Sequence, residues 1–226
     1  MAEDGAIPLA GEGYAPIGIC FGAALLLWLA SRTSRGGAST ALFTLAIVLL
    51  ALGVFFVNFF RDPRRTTPRG SNLVISPADG TIVALEAEAD EPRFLERPAT
   101  KISIFMSPLN VHVNRAPIEG DVVRVSYNPG KFLPAFAEKA SLDNEQNAVL
   151  MRGGDGREVL FIQIAGLIAR RIVCRVRAGD HLARGQRMGM IKLGSRVDVF
   201  VPGRFAPNVK NGDRVVAGET VLGVLS

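Results

Sequence analysis

A chain of 226 residues has room for one ordinary domain and an extra element, and an apolar share of 48% with only 7% aromatics is high for a wholly soluble chain. Two cysteines, Cys20 in an apolar stretch and Cys174 in a strand-like one, supply neither a disulfide framework nor a cysteine zinc site, so a reducing cytoplasm is the easier home. The net charge of +5, carried mostly by Arg, suits an anionic partner, acidic lipid or nucleic acid, without choosing between them.

Two apolar blocks come first, Tyr14 to Ser31 and Ala41 to Phe60. A span needs about 20 residues at a rise of about 1.5 Å each, so the second block is long enough and the first is marginal. Neither has a polar face to turn toward water, and together they predict a hydrophobic helical hairpin in or on a bilayer. A cleaved signal peptide fits poorly, because Met1 to Gly13 holds Glu3, Asp4 and Glu12 and no Lys or Arg. The connector carries Arg32 and Arg35, whereas the segment after the second block carries Arg61, Arg64, Arg65 and Arg69. The positive-inside bias therefore places both ends on the cytoplasmic side of the cell membrane. Pro63, Pro68 and the arginines make 63–70 a basic linker between a membrane-associated unit, 1–62, and a second domain, 71–226.

The second domain is dominated by alternation of period two. Ile102, Ile104 and Met106 share one side of "KISIFM"; Ile172, Cys174 and Val176 oppose Arg171, Arg175 and Arg177; Val197, Val199 and Val201 fall together. Turn clusters at "SPADG", "YNPG", "GGDG", "RAGD" and "KNGD" separate the runs. The pattern predicts a mainly β, sandwich-like or barrel-like domain, with one short helix around Pro134 to Ser141. "RAGDHLARGQRMG" and "KNGDRVVAGETVLG" echo one another.

Three stretches could carry chemistry: "SPADG" at 76–80, "FMSPLNVHVNRAP" at 105–117 and "KLGSRVDVF" at 192–200. The first alone reads as a Pro-initiated turn with Asp79 capping its own backbone. His112 lies in a strand-like run, where a packed imidazole is common, yet it is the natural general base near neutrality. His181 follows a turn and reads as solvated. The two histidines lack metal-binding spacing and no acidic cluster surrounds either, so no metal site is expected. "LGSRV" is not the G-x-S-x-G elbow of a hydrolase.

Taken together, in this order and at these distances from the C-terminus, the three stretches resemble the short, archaeal-type form of the phosphatidylserine decarboxylase family, from "NLVISPADG" to the end of the chain. The resemblance implies a pyruvoyl-dependent lyase made as a zymogen. "LGS" would be the self-processing site, with Gly194–Ser195 the bond cut, Asp79 and His112 the base and its orienter, and Ser195 the source of the pyruvoyl cofactor. The products would be a β chain, 1–194, and an α chain, 195–226, held as a heterodimer, with room for a homo-oligomer. The mature enzyme would form a Schiff base with phosphatidylserine in the membrane and release CO2 and phosphatidylethanolamine, a step of phospholipid biosynthesis. An anionic head group favours basic edging of the site, for which Arg170, Arg171 and Arg196 are candidates beside their plainer reading as solvated strand faces.

Two positions depart from the long-form pattern: Arg196 stands where those relatives have Thr, and Arg115 where they have a second His, so His112 must act without it. A different class also fits part of the sequence, a membrane-tethered lipoyl- or biotinyl-like adaptor, because the two echoing segments resemble the hairpins of such domains. That class needs a modifiable Lys on an exposed hairpin, and Lys192 instead precedes a strand. A nucleic-acid partner is not expected, since the strands lack interleaved aromatics.

Overall fold

The computed structural model describes residues 9–130, 144–166, 171–192 and 195–226. The chain divides into two compact units, Met1–Arg64 and Arg65–Ser226. The short helix expected around Pro134 to Ser141 lies outside the described residues.

The first unit is the expected helical hairpin. Helices α1 (Tyr14–Thr33) and α2 (Gly37–Phe59) are joined by a tight turn at Gly36, whose φ of 61° lies in the left-handed region that glycine tolerates. Gly53 allows close approach, since a Cβ there would sit 3.2 Å from the Phe21 ring. Both helices are long and apolar enough to cross a membrane. They are also not core helices of a soluble domain: Ile19, Leu26, Ile47, Val48 and Val54 are all exposed.

The second unit is all β among its described residues. In chain order its strands are β1 (Leu73–Ile75), β2 (Gly80–Ala89), β3 (Ala99–Met106), β4 (Val113–Arg115), β5 (Gly120–Asn128), β6 (Gln146–Arg152), β7 (Glu158–Ala165), β8 (Ile172–Cys174), β9 (His181–Leu182), β10 (Arg187–Ile191), β11 (Ser195–Pro202), β12 (Phe205–Pro207), β13 (Arg214–Val215) and β14 (Val221–Leu225). Eight form one antiparallel sheet in the order β13-β2-β3-β11-β7-β6-β5-β9, and two three-stranded sheets, β1-β14-β12 and β4-β10-β8, complete the fold.

The predicted inward faces meet in one core. Ile102, Ile104, Met106, Val197, Val199 and Val201 pack with Phe161, Val149 and Met151, and Ile172, Cys174 and Val176 pack against them. The opposite face of the large sheet is also covered, with Leu150, Leu160, Ile162, Ile164 and Phe200 in a second cluster beneath Leu95. Strand β11 is therefore buried on both faces, the ordinary condition of a central strand.

The two echoing segments form the same hairpin twice. Gly179 and Gly212 have φ of 92° and 91°, Gly185 and Gly218 have 78° and 81°. Asp180 and Asp213 each accept from a backbone N–H at 2.9 Å, from Arg177 and Lys210. Gly179 N–H donates to Val122 and Gly212 N–H to Ile82, both at 2.8 Å. "SPADG" before β2 and "APIEG" before β5 occupy corresponding places, so the sheet order is itself a pseudo-dyad about the β11–β7 pair.

Gly80 fixes the level at which β2 meets β3. A Cβ at that position would collide with the Phe105 carbonyl oxygen and approach the Ile104 Cγ2 to 2.8 Å. Gly80→Ala should lose roughly 1–3 kcal/mol by overpacking, read as a fall in thermal midpoint. Gly154→Ala, where the corresponding space is open, is the control expected to be near neutral.

Candidate active site

"SPADG" does form a turn, but one stitched into the fold on every side. Ser76 Oγ donates to the Ala78 carbonyl at 2.7 Å, Ser76 N–H to Thr220 O at 2.8 Å, and Gly218 N–H to Ser76 O at 2.8 Å. Arg115 N–H reaches Pro77 O at 2.9 Å. The Asp79 carboxylate does not cap its own turn. Oδ1 accepts from Ala217 N–H at 2.8 Å, and the Arg65 guanidinium donates to both carboxylate oxygens at 3.0 and 2.9 Å. Both partners of this ion pair are largely shielded, with side chains 12% and 14% exposed, so it is less screened than a surface pair. Arg115 adds a second guanidinium nearby: a Cβ on Gly218 would lie 2.9 Å from Arg115 Cδ and 3.4 Å from Arg65 Cβ.

Strand β3 leads into the histidine through "SPLN". Asn110 closes that turn with its side-chain oxygen, accepting Ser107 N–H at 2.8 Å, while its own N–H donates to Ser107 O at 2.9 Å. The Asn110 carbonyl then lies 2.9 Å from His112 Nδ1. A carbonyl only accepts, so Nδ1 carries a proton, and Nε2 is the nitrogen that bears the lone pair whenever the ring is neutral. His112 is fully buried, and its carbonyl receives Ile191 N–H at 3.4 Å, at the end of β10.

Ser195 opens β11, opposite Met106 on one side and Ala165 on the other. It is fully buried, and its hydroxyl donates to the Met106 sulfur at 3.4 Å. The same sulfur receives the Asn114 amide at 3.8 Å. Asn114 lies in β4, the strand that His112 directly precedes, so this shared sulfur ties β4 to the serine. Behind Asn114, Gln163 Nε2 donates to its carbonyl at 2.9 Å and Asn147 Nδ2 to the Gln163 carbonyl at 3.0 Å. Asn114, Gln163 and Asn147 are each at most 2% exposed, so this file of amides inside an apolar core is held by mutual satisfaction and ends on the Met106 sulfur that also receives the Ser195 hydroxyl.

Register places Asp79 at the same end of the sheet. Thr81 pairs with Phe105, and Ser195 pairs with Met106, so Asp79 lies just beyond the level of Ser195 with β3 between them. Asp79 and Ser195 thus lie at the C-terminal end of β3, and the turn that leads to His112 leaves from that same end. Gly194 lies outside the described residues.

The phosphatidylserine decarboxylase family model matches residues 52–223, the whole of this region and most of the chain. The chain belongs to that family. A phosphatidylserine decarboxylase proenzyme of Geobacter metallireducens is 47% identical over 218 residues, 96% of this chain and 97% of the relative. The one from Ralstonia nicotianae is 53% identical over 174 residues, 77% and 80% of the two chains, and the one from Aromatoleum aromaticum is 47% identical over 217 residues, 96% and 95%.

Within this decarboxylase family member the arginines proposed as basic edging fare differently. Arg196 is neither at a solvated face nor at an edge: it is 5% exposed and paired with Asp198, Nε to Oδ1 at 2.9 Å, inside the second core face. Arg171 is exposed, its carbonyl receiving Lys192 N–H at 3.2 Å, and Arg170 lies outside the described residues. His181 is exposed as expected and pairs with Asp121. Arg115, standing where long-form relatives have a second histidine, uses its guanidinium on the Gly185 carbonyl at 3.1 Å.

Arg65 was read from the sequence only as linker charge and Met106 only as core, and Asn114, Gln163 and Asn147 were not singled out. Of these, Gln163 had one visible trace, a lone amide inside the apolar run "VLFIQIA".

Proposed function

We propose that this chain is a self-processing phosphatidylserine decarboxylase, converting phosphatidylserine to phosphatidylethanolamine and CO2 at the cytoplasmic face of the cell membrane. Supporting this most directly is the position of Ser195, a buried hydroxyl at the first residue of the central strand, with ladder partners on both sides. A cut before Ser195 would leave β11 paired to β3 and β7, β13 to β2 and β14 to β1. The new end would stay in place with no covalent tether, and the two pieces would remain a heterodimer.

Ser195 Oγ attacks the Gly194 carbonyl, transferring the acyl group from N to O. His112, its proton fixed on Nδ1 by Asn110, accepts the hydroxyl proton on Nε2. Loss of the Ser195 α-proton then breaks the Cβ–Oγ bond, releasing 1–194 as a carboxylate. The enamine left at residue 195 tautomerises and takes up water, and ammonia departs. The Asn110 carbonyl takes the part of orienting the imidazole, and Asp79, held by Arg65 and Ala217 N–H, fixes the turn that stands one strand away from Ser195.

The surroundings fit a pyruvoyl group at residue 195: the cross-strand neighbour is the methyl of Ala165, Met106 offers a soft wall without a competing nucleophile, and Asn114 brings N–H donors to the same sulfur. Once formed, the group supplies a ketone for Schiff-base chemistry with the head-group amine and an electron sink for loss of CO2. The apolar hairpin supplies the means of reaching a lipid substrate.

Intact-mass analysis of purified wild-type protein tests the reading. Two pieces are expected, 1–194 and 195–226, the second beginning at a residue blocked to Edman sequencing and carrying a ketone that hydroxylamine derivatises. An active preparation consisting of one uncut chain would refute it.

A further inference from the structure

Glu145 is a buried carboxylate for which the self-cutting chemistry has no use. It directly precedes β6 and is 5% exposed. Its backbone carbonyl receives Ala165 N–H at 3.0 Å, and Asn144 Nδ2 donates to Ala165 O at 2.7 Å, which continues the β6–β7 register by one more pair. Ala165 in turn pairs with Ser195. Ser195, Ala165 and Glu145 therefore form one row across three neighbouring strands.

All three face the same way. Asn147, Val149 and Met151 alternate with Glu145, and the latter two lie in the core cluster that also holds Val197 and Val199, the residues alternating with Ser195. Within the row, Ala165 is the residue between the serine and the carboxylate.

One carboxylate oxygen is accounted for. Tyr127 donates its hydroxyl to Oε1 at 2.9 Å, and this bond holds the phenol above its ordinary pKa, as a carboxylate acceptor does. The other oxygen, Oε2, is buried with no hydrogen-bond partner among the described residues. A buried carboxylate oxygen left so is costly and calls for a cationic ligand.

We propose that Glu145 Oε2 binds the ammonium group of the amino-acid head group, seated over Ala165 and facing residue 195. The spacing suits a primary ammonium. Ser195 and Glu145 lie two strand spacings apart, about 9.6 Å. An approach of about 3–3.5 Å to the reacting carbon, a charge-assisted hydrogen bond of about 2.7–2.9 Å and the glutamate side chain together cover that span. The assignment rests on the function proposed above, because it needs a ketone at residue 195 for the amine to meet.

The test uses the full chain in detergent with phosphatidylserine micelles. Glu145→Gln should still be cut at 194/195 but show a KM at least about tenfold higher, one charge-assisted contact being lost. Cyanoborohydride trapping gives a readout apart from turnover: the mass gain of the 195–226 piece at subsaturating lipid should fall by a similar factor. Glu145→Asp, which keeps the charge and withdraws it by one methylene, should lie between the two and serves in place of Glu145→Gln should that variant not fold.

Wild-type KM and trapping in these variants would overturn the assignment. So would a folded Glu145→Gln that stays uncut, since the carboxylate would then serve Ser195 and not the lipid. Wild-type protein lacking the cut would overturn the function itself, a result visible before any variant is made.

Discussion

Ser195→Ala is expected to give a single uncut chain with no measurable decarboxylation. Both losses have one origin. Without Oγ no ester can form from the Gly194–Ser195 amide, and without that ester there is no leaving carboxylate, no new terminus and no ketone. Folding should survive, because the hydroxyl makes only a weak 3.4 Å contact with the Met106 sulfur while β11 keeps its ladder partners on β3 and β7. The thermal midpoint should therefore move by no more than a few degrees. Gel electrophoresis, intact mass and CO2 release read the three quantities separately. A cut chain in this variant would show that another group attacks, and an uncut chain with full activity would remove the ketone from the reaction altogether.

The duplicated hairpins explain where such a site can arise. In one half of the large sheet, β6 passes to β7 through a closed turn, with Gly153 N–H on Arg157 O and Gly156 N–H on Gly153 O, both at 2.9 Å. The corresponding strands of the other half, β3 and β11, are paired in the same way but are not consecutive. Between them the chain departs through Ser107–Asn110 to His112, builds β4 through β10, and returns to Ser195. The place occupied in one half by a short hairpin is thus a meeting of separate chain segments in the other. Asp79, Ser195 and the turn that leads to His112 meet at the end of β3 because the strand pairing there is left without a direct loop, and because "SPADG" is packed against the second copy of the echoing hairpin through Ala217 and Gly218.

How far this was legible varies with the range of the interaction. Alternation located the core residues of β3, β8 and β11, since each inward set is local in sequence. The echo of 177–189 and 210–223 was visible as letters and is real as geometry; its likeness to adaptor hairpins reflects shared β architecture on a family member of another activity. Arg196 was out of reach of this logic. A period-two pattern with charges on one side reads as a solvated face, whereas here Leu150, Leu160 and Phe200 share that face beneath Leu95, and Arg196, 5% exposed on it, pairs with Asp198. The file Asn147, Gln163 and Asn114 joins strands distant in sequence, and the clasp of Arg65 on Asp79 joins the residues after the apolar hairpin to the first turn of the β domain. No local pattern encodes such pairings; they follow from register, which is set only when the sheet closes.

His112→Gln is the second substitution expected to act strongly. Gln fills a comparable volume and offers hydrogen bonds, but it cannot take up a proton near neutral pH, so it separates base chemistry from packing at a fully buried position. The turn that precedes it is held by the Asn110 side chain and by Ser107, and the contact from Ile191 N–H is to the backbone carbonyl of residue 112, so both survive the exchange. A positioned general base contributes about 10²–10⁴ in rate, and the self-cut should slow by a factor in that range, followed as the growth of the 195–226 piece after synthesis. Decarboxylation per cut chain should fall as well if His112 also serves the mature enzyme as its proton donor, which CO2 release normalised to the amount of the 195–226 piece reads directly. In His112→Ala, which vacates the space of the ring, added imidazole should restore part of the cut if the defect is a missing base. Should His112→Gln cut at the wild-type rate, the lone pair fixed by Asn110 has no part in opening the peptide bond, and the proton on Ser195 must leave by another route.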